Sequence, residues 1–384
     1  MNIVSLSVEN RNQASIEERF GRALTFFEKR GGVLFLSRER FWDKHGFVQQ
    51  SLATTLAQRG IPVLWLDGMG WKPYKPTFSE KSSHLSVKQI PTLPGRRIGP
   101  IDFVSRKLDA FHVRHAYKRL GNPVVWIEEN IDSYLAEALP NIDVFSVFDD
   151  PHHLPKEVLG RASLIVTQNS FAKELIGEPK KTRVALPPME ITGRTFDIVP
   201  PFRTAFDFPE RVMGCVGSLM APDFDVSLLE FLVATQKDIG FIAAGRTNSE
   251  SQHRIDTLKA YKNFIYVPWQ PRKKASALWQ RLQVSLLLYG DYPKQEGGFP
   301  TRALEAFYFG IPCVATDIAK THDLNDLVFR SNDPAIIIEK ARELLETQKE
   351  IIKAKYERLA YRMNPKLHLA RVAEFLEGKD ATDW

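Results

Sequence analysis

The chain has 384 residues, 43% of them hydrophobic and 26% charged, and its 52 basic against 46 acidic side chains leave a formal net charge of +6. This is the composition of a globular protein of two or three domains, and it excludes collagen-like and wholly disordered chains. No apolar run approaches the roughly 18 residues of a membrane span, and the start shows no secretory signal. The two cysteines, Cys215 and Cys313, cannot form a disulfide framework. We therefore expect a soluble cytoplasmic protein.

Short apolar runs alternate with amphipathic stretches in the first half of the chain. A capping box at Ser15–Glu18 predicts a helix that begins there and continues to about Arg30. The predicted strands are Val33–Ser37, Pro62–Leu66, Val124–Ile127, Val144–Phe148 and Leu164–Thr167, and the predicted helices between them are Phe47–Arg59, Ile131–Ala138 and Ser170–Ile176. Continuously apolar strands are typical of a parallel sheet with helices on both faces.

Residues 95–120 hold the densest cluster of basic side chains, seven arginines and lysines against two aspartates. The apolar residues Ile101, Val104, Leu108 and Phe111 recur at helical spacing, which predicts an amphipathic helix with an apolar and a basic face. The basic face is either an ordinary solvated surface or a patch for an anionic membrane or acceptor.

A proline-rich stretch, Pro187–Pro209, interrupts this rhythm, and the predicted linker, residues 196–210, covers its second half. A second α/β series follows. Its predicted strands are Val212–Gly217, Phe241–Ala244, Phe264–Val267, Val284–Leu288 and Pro312–Ala315, and its predicted helices are Val226–Ala234, Ser251–Ala260, Ala275–Leu282 and Thr301–Phe309. We expect an α/β protein with two Rossmann-like, doubly wound parallel-sheet domains that face a cleft. The domains are residues 1–195, with a helical extension at 1–30, and residues 211–360, followed by a C-terminal helix at 361–384 that could pack back on the first domain.

The segment Tyr289–Asp317 carries the clearest chemical pattern, a strand, a glycine-bearing loop, a helix, a glycine turn and a strand. Gly297 and Gly298 allow the backbone to approach a ligand closely. The helix that begins near Thr301 directs its N–H groups and positive dipole end toward the same place, which suits a phosphate. Arg302 adds a forked cation, and Glu305 can accept two hydrogen bonds from hydroxyls such as those of a ribose.

This segment resembles the donor-binding motif of family-4 glycosyltransferases, which have the GT-B fold. The matching positions are Gly298–Pro300, Glu305, Gly310–Pro312 and Val314–Asp317. A thinner similarity to the subgroup that makes polysaccharides and teichuronic-acid-like polymers covers Phe41–Gly60, Val144–Asp150 and Arg161–Phe171. The resemblance implies a hexosyltransferase that uses a nucleotide-diphosphate sugar, with no metal and no cofactor.

The resemblance also implies roles for individual residues. Glu305 would hold the nucleotide ribose, and Phe299 and Thr301 would line the donor site. Eight residues separate Glu296 from Glu305, one more than in the family. Either Glu296 still reaches the donor sugar through a bulged loop, or Gly297 occupies its position and Glu296 is a solvated charge.

A second departure concerns the diphosphate. The family has an arginine and a lysine after the first strand of its second domain, whereas the loop Gly217–Asp223 has neither. We assign the diphosphate charge to Arg302 first and to Arg246 second; the alternative for each is an ordinary salt bridge. Ser218 in this loop and Val267 at a strand end are assigned to the donor site, with core packing as the alternative for Val267.

Asp149 and Asp150 end a predicted strand and are followed by His152 and His153. Asp149 is the candidate catalytic base for the acceptor hydroxyl, and the two histidines are candidate contacts of the donor sugar. The alternative for the aspartates is a helix N-cap. Gly46 is assigned to a ligand-facing loop.

The pair Asp223 and Asp225 spells D-x-D, a metal-binding pattern of another glycosyltransferase fold. Because a helix follows at once, a capping role is the stronger interpretation, and no metal is predicted.

The predicted acceptor is a glycan or a lipid-linked glycan in polysaccharide biosynthesis, and segment 96–119 could contact the inner face of an anionic membrane. Within enzymes the same fold serves nucleotide-sugar epimerases and glycogen phosphorylases. An inactive sugar-nucleotide-binding or assembly protein is the alternative from another class, and nucleic-acid binding is not expected.

Overall fold

The computed structural model describes residues 3–37, 48–70, 83–91, 99–129, 131–148, 150–188, 207–270, 272–290, 300–317, 324, 327–379 and 384. The chain divides into two compact units. Unit 1 comprises Met1–Gln168, Ala172–Met189 and Arg362–Trp384, and unit 2 comprises Asn169–Phe171 and Glu190–Tyr361. Among the described helices, none is both long and apolar enough to cross a membrane.

Unit 1 is built on a seven-stranded sheet in the order β3-β2-β1-β4-β5-β6-β7, and its neighbouring strands are parallel. The strands are β1 (Val33–Ser37), β2 (Val63–Gly70), β3 (Leu85–Pro91), β4 (Val124–Glu128), β5 (Ile142–Val147), β6 (Ala162–Thr167) and β7 (Thr182–Val184). The helices before residue 190 are α1 (Ile3–Lys29), α2 (Val48–Gln58), α3 (Gly99–Leu120), α4 (Ser133–Glu137), α5 (Lys156–Arg161) and α6 (Ser170–Ile176).

Unit 2 is built on a six-stranded parallel sheet in the order β10-β9-β8-β11-β12-β13. Its strands are β8 (Val212–Ser218), β9 (Gly240–Arg246), β10 (Phe264–Pro268), β11 (Val284–Leu287), β12 (Cys313–Ala315) and β13 (Val328–Arg330). The later helices are α7 (Val226–Thr235), α8 (Ser249–Leu258), α9 (Arg272–Arg281), α10 (Thr301–Tyr308), α11 (Pro334–Leu344), α12 (Lys349–Arg362) and α13 (Pro365–Leu376). Both sheets follow the doubly wound order, which confirms the predicted fold class.

The last helix, α13, belongs to the core of unit 1. It packs along α1 and α2, and Leu369 and Val372 are buried among the side chains of α1 and the sheet. Arg19 of α1 binds Glu374 of α13 through two hydrogen bonds of 3.0 and 2.6 Å. The start of the chain and residues 365–376 therefore close one hydrophobic core together.

A buried imidazole lies within this core. His368 is 4% exposed, and its ring stacks on Trp126 at 5.9 Å between centroids and meets the edge of Trp384 at 6.0 Å. Burial, with the nearby charge of Arg371, lowers the pKa of His368 to about 3. The imidazole is therefore neutral in the folded protein at ordinary pH.

Two expectations about helices are wrong. The first helix begins at Ile3, so Ser15 lies inside it and is not a capping residue; Glu18 instead accepts a 2.7 Å hydrogen bond from Arg22 one turn later. In α3 the buried residues are Ser105, Asp109, Val113 and Ala116. Val104 and Phe111, which we placed on the apolar face of that helix, point outward.

Candidate functional site

The carboxyl ends of β8 and β11 mark the point where the strand order of unit 2 reverses. In doubly wound sheets, ligands bind outside the carboxyl ends of the strands at such a switch point. Three chain segments meet there: Gly217 and Ser218 at the end of β8, Tyr289 after β11, and the first turn of α10. The switch point of unit 2 is therefore the first place to look for a ligand site.

Arg302 is the centre of this arrangement. Its guanidinium donates a 3.5 Å hydrogen bond to the Ser218 carbonyl oxygen, and its Cζ lies 5.0 Å from the ring centroid of Tyr289. The Arg302 side chain is half-buried, and no carboxylate of the described residues forms an ion pair with it. The salt bridge that was the alternative for Arg302 is thus not among the described contacts.

Tyr289 gives the guanidinium a fixed support. Its N–H donates to the Thr316 hydroxyl oxygen at 2.9 Å, and the same hydroxyl donates to the Tyr289 carbonyl at 3.0 Å. Burial raises the pKa of the Tyr289 phenol, and the nearby Arg302 charge only partly opposes this. The ring under the cation therefore stays neutral and presents its π face, as a cation–π contact requires.

Two glycines keep the end of β8 open to the cation. Gly217 has φ +139°, and a Cβ there would lie 3.3 Å from Cζ and Nε of Arg302. Gly245, with φ +156°, lies so close to β8 that its Cβ would be 1.5 Å from the Gly217 carbonyl oxygen. A side chain at Gly245 is sterically excluded, and one at Gly217 would press on the guanidinium.

The first turn of α10 adds N–H groups to this site. Thr301 is exposed at the first helical position, and Pro300 before it makes no side-chain cap. The Ala303 N–H bonds to the Pro300 carbonyl oxygen, whereas no acceptor among the described residues takes the N–H of Thr301 or Arg302. Glu305, half-buried one turn later, lies on the same side of the helix as Arg302.

Arg246 and Val267 reach the same edge of the sheet from the next strands. Arg246 pairs with Ser218 in the β8–β9 register, is exposed, and lies with Cζ 4.9 Å from the ring centroid of Trp269. Val267 is half-buried at the end of β10. Across the described part of the chain, Arg246 has no carboxylate in ion-pair distance, so its charge is available to a ligand.

Ser218 supplies a further polar atom. Its Oγ is buried, and no hydrogen-bond partner for it is found in the described structure. An unpaired buried hydroxyl usually costs about 1–3 kcal/mol. A ligand that forms a hydrogen bond with the Ser218 hydroxyl would remove this cost, so the hydroxyl supports a ligand site at the switch point.

One carboxylate of the D-x-D pair caps a helix. Asp225 is the N-cap of α7 and accepts a 2.9 Å hydrogen bond from the Leu228 N–H. The capping interpretation is therefore the one that the structure supports for Asp225. Within the ranges that the structure describes, no group of three or more His, Cys, Asp or Glu side chains could hold a metal ion.

Unit 1 places His152 and His153 in an exposed turn after β5. Asp150 accepts a 3.0 Å bond from the His152 N–H and contacts the His153 ring nitrogen Nδ1 at 2.9 Å. Burial alone would raise the pKa of Asp150, but these hydrogen bonds outweigh it and lower the pKa below its ordinary value. Asp150 is thus an ionised turn carboxylate and a weak base.

Six of the predicted site residues lie outside the part of the chain that the structure describes. Asp149, the candidate base, lies outside the described residues. The same holds for the remaining donor-site candidates, which are Gly46, Glu296, Gly297, Gly298 and Phe299.

A polar row crosses the carboxyl ends of the strands in unit 1. Ser37 of β1 is paired in register with Asp67 of β2, and its hydroxyl donates a short hydrogen bond to the Glu128 carboxylate of β4. Glu128 is in turn opposite Ser146 of β5. The four residues are at most 6% exposed. Buried carboxylates of this kind need hydrogen-bond donors.

Comparison with known proteins finds one matching family model and several solved structures of similar fold. Residues 210–347, within unit 2, match the family model described as Glycosyl transferases group 1. No curated protein sequence gives a match.

Solved structures of other proteins align with 86% to 90% of this chain. HepE from Anabaena in complex with UDP-glucose aligns with a TM-score of 0.62 and 15% identity, over 90% of this chain and 99% of that one. The fold is GT-B. The apo lipopolysaccharide outer core galactosyltransferase WaaB aligns at 0.59 with 19% identity, over 86% and 97% of the two chains. Sucrose-phosphate synthase from Thermosynechococcus elongatus aligns at 0.59 with 13% identity, over 86% and 96%.

The roles of three residues in these two GT-B units were not predicted from the sequence. Tyr289 is the first residue of the segment Tyr289–Asp317, and no role was predicted for it, although an aromatic residue before a glycine-bearing loop is a usable signal. Gly217 was noted for what its loop lacks and not for its closeness to Arg302. Glu128 directly follows the apolar run Val124–Ile127, and a charge at that place could have indicated the polar row.

Proposed function

We propose that the protein is a glycosyltransferase that moves a hexose from a nucleotide-diphosphate sugar to a hydroxyl of a glycan or lipid-linked acceptor. The observation that carries this proposal is Arg302, held at the switch point of unit 2 by Ser218 and Tyr289 without a described carboxylate partner. A fixed cation at this location, beside the start of a helix, fits a diphosphate. The family match of residues 210–347 and the GT-B fold support the same conclusion.

In the proposed reaction, the bond between the sugar and the diphosphate breaks and negative charge grows on the departing diphosphate. Arg302 and the N–H groups of Thr301 and Arg302 stabilise that charge, and because they are already in place, little reorganisation is needed. Glu305 accepts hydrogen bonds from the ribose hydroxyls, and Arg246 adds a second positive charge at the rim. Asp149 is the proposed base for the acceptor hydroxyl.

The proposed chemistry needs no metal ion or other cofactor. In many transferases a divalent cation neutralises the diphosphate, whereas here two arginines and a helix N-terminus would supply the positive potential. The N-cap role of Asp225 supports this, because the D-x-D carboxylate is already engaged with the backbone.

Uracil is the base we propose for the donor nucleotide, because HepE, which this chain resembles in fold, was solved with UDP-glucose. We further propose that the acceptor belongs to polysaccharide biosynthesis and that transfer takes place in the cytoplasm. A lipid-linked acceptor would bring the reaction to a membrane surface.

Nucleotide binding tests the proposal directly. Isothermal titration with UDP, GDP, dTDP and their sugars should show one preferred nucleotide, which we expect to be UDP. Arg302→Ala should weaken binding of the diphosphate at least tenfold, and it should lower kcat by roughly a hundredfold to a thousandfold, as loss of one fixed charge-stabilising donor does. Glu305→Ala should weaken binding of the nucleoside part.

Lys262→Ala is the matched control, because Lys262 is an exposed cation at the amino end of β10, away from the carboxyl ends of the strands. Equal loss in both cation variants, or no nucleotide binding at all, would contradict the proposal. Tight nucleotide binding without turnover on any acceptor would instead identify the inactive sugar-nucleotide-binding protein.

A further inference from the structure

The outward face of α3 has an unusual composition. Between Ile101 and Leu120 its exposed side chains include five arginines and lysines and three large apolar residues, but no carboxylate. Neither aspartate of the helix is among these exposed side chains, although Asp102 pairs with Arg106, one of the five cations. Asp109 is fully buried and accepts a 2.8 Å bond from the Tyr134 hydroxyl, and Asp102 bonds Arg106 at 2.7 Å.

The apolar residues are exposed to an extent that is uncommon for their type. Phe103 and Phe111 are each 60% exposed and Val104 is 52% exposed. The two phenylalanines have the highest exposure of any large hydrophobic residue in the described part of the chain. Exposed apolar side chains that share one helix face with cations are a composition typical of contact surfaces.

Cations and aromatic rings share one stripe of the helix. Phe103, Lys107, Phe111, Arg114 and Lys118 follow each other at intervals of three or four residues, so they lie on one side of α3. The Lys107 ammonium lies 4.3 Å from the centroid of the Phe103 ring. The stripe therefore presents apolar rings with positive charges between them.

The opposite side of α3 fixes this stripe in place. Val113 and Ala116 are buried in the hydrophobic core of unit 1, and Ser105 is also fully buried. The stripe from Phe103 to Lys118 extends over roughly 22 Å of α3, and this packing holds it on the surface of unit 1.

We infer that the outward face of α3 docks the protein on an anionic lipid bilayer. Apolar side chains on such a face enter the boundary of headgroups and acyl chains, and lysines and arginines bind anionic headgroups. Exposed phenylalanines with an exposed valine favour a bilayer over a nucleic acid, because a valine has no use in base stacking or phosphate binding. The inference goes beyond the proposed reaction and can be tested without it.

Vesicle flotation tests the inference on the full-length chain. Wild type should bind vesicles of phosphatidylcholine and phosphatidylglycerol in equal parts, bind pure phosphatidylcholine much less, and lose binding at high salt. The triple variant Lys107→Gln, Arg114→Gln, Lys118→Gln should lose roughly fivefold in partition per cation. Phe103→Ser with Phe111→Ser should also reduce binding to the mixed vesicles.

The matched control replaces three exposed lysines of unit 2, Lys262→Gln, Lys274→Gln and Lys353→Gln, which changes the net charge equally. Its vesicle binding should stay within about twofold of wild type. Equal losses in the two triple variants, equal binding to neutral and anionic vesicles, or no vesicle binding would overturn the inference. Binding to a single-stranded oligonucleotide that the α3 variants abolish, without vesicle binding, would replace it with nucleic-acid docking.

UDP titration of the α3 variants separates this inference from the proposed function. UDP affinity should be unchanged, because α3 belongs to unit 1 and the proposed nucleotide site is built from residues of unit 2. A protein that binds vesicles but no nucleotide would keep the docking inference and refute the proposed reaction, and the reverse result would do the opposite.

Discussion

The two sheets share one strand order, but their switch points differ in chemistry. In unit 1 the Ser37 hydroxyl at the end of β1 donates to the Glu128 carboxylate at the end of β4. In unit 2 the corresponding edge holds Arg302 and the buried Ser218 hydroxyl, neither hydrogen-bonded to a side chain among the residues that the structure describes. The same scaffold thus carries an acidic edge with a side-chain hydrogen bond across it in one unit, and in the other a cationic edge whose Arg302 and Ser218 side chains bond to no other described side chain. Polar groups that are already paired stabilise a fold, whereas fixed unpaired ones are suited to a ligand.

The largest effect should come from adding a side chain at Gly245, where β8 and β9 lie closest together. Gly245→Ala places a methyl group 1.5 Å from the Gly217 carbonyl oxygen at φ +156°, so the strands must move apart. We expect unit 2 to lose about 3 kcal/mol or more of unfolding free energy, together with UDP binding. Urea unfolding and UDP titration measure both.

Gly160→Ala is the control for this variant. Gly160 lies inside α5 of unit 1, with open space where the added methyl group would lie and no positive φ. The substitution should be neutral or stabilising, since alanine favours a helix over glycine. If Gly245→Ala were as stable as Gly160→Ala, the tight packing of the β8–β9 edge would be refuted.

A smaller effect is expected at the acidic edge of unit 1. Ser37→Ala removes the hydroxyl that donates to the buried Glu128 carboxylate, and a hydrogen bond to a charged group is worth about 1.5–3 kcal/mol. The unfolding free energy of unit 1 should fall by that amount while UDP affinity stays unchanged. Ser105→Ala is the comparison, because the Ser105 Oγ is buried without a partner in the described structure. Equal losses in the two variants would show that the bond to Glu128 contributes nothing.

The smallest expected effect concerns the pH dependence of the unfolding free energy, to which the buried His368 of unit 1 contributes. His368 has a pKa of about 3 when folded and about 6.5 when unfolded, so between these values the unfolded chain binds one proton more. Stability therefore falls as the pH is lowered from 6.5 toward 3, by about 1.4 kcal/mol per pH unit where the difference is fully developed. Burial instead raises the pKa of Cys215 in unit 2 to about 12, so that thiol adds no sensitivity to acid.

His368→Phe keeps an aromatic ring against Trp126 and removes the titration. From about pH 7.5 to about pH 5.5, wild type should lose about 1.4 kcal/mol more unfolding free energy than this variant. Equilibrium urea unfolding at the two pH values measures the difference. An identical loss in both proteins would mean that the imidazole accepts a proton without unfolding.

The sequence was most informative where strands are buried on both faces. All ten predicted strands are present, and the helix Ser170–Ile176 has the predicted bounds. The strands that were missed, β3, β7 and β13, are edge strands of their sheets. An edge strand is covered less completely, so its sequence lacks the continuous apolar run that identifies an inner strand.

The candidate site could be predicted from the sequence only where it depends on local sequence. The position of Arg302 in the first turn of α10 follows from local sequence. Its contacts with Gly217 and Tyr289 do not, because they join segments brought together only by the strand order. The apolar spacing in α3 predicted an amphipathic helix, and the helix is present, but spacing alone does not show which apolar residues are buried, and Val104 and Phe111 point outward.

The place of α13 in unit 1 has a consequence for biosynthesis. A ribosome releases the sheet of unit 1 first and the whole of unit 2 before it releases residues 365–376. Until then the side of unit 1 that Leu369 and Val372 cover stays exposed, and the Arg19 guanidinium lacks its Glu374 carboxylate. Unit 2 can complete its fold while the core of unit 1 still lacks residues 365–376. This order reverses the usual one, in which the N-terminal domain of a growing chain folds first. A nascent chain that stalls inside unit 2 would therefore present this uncovered surface to chaperones.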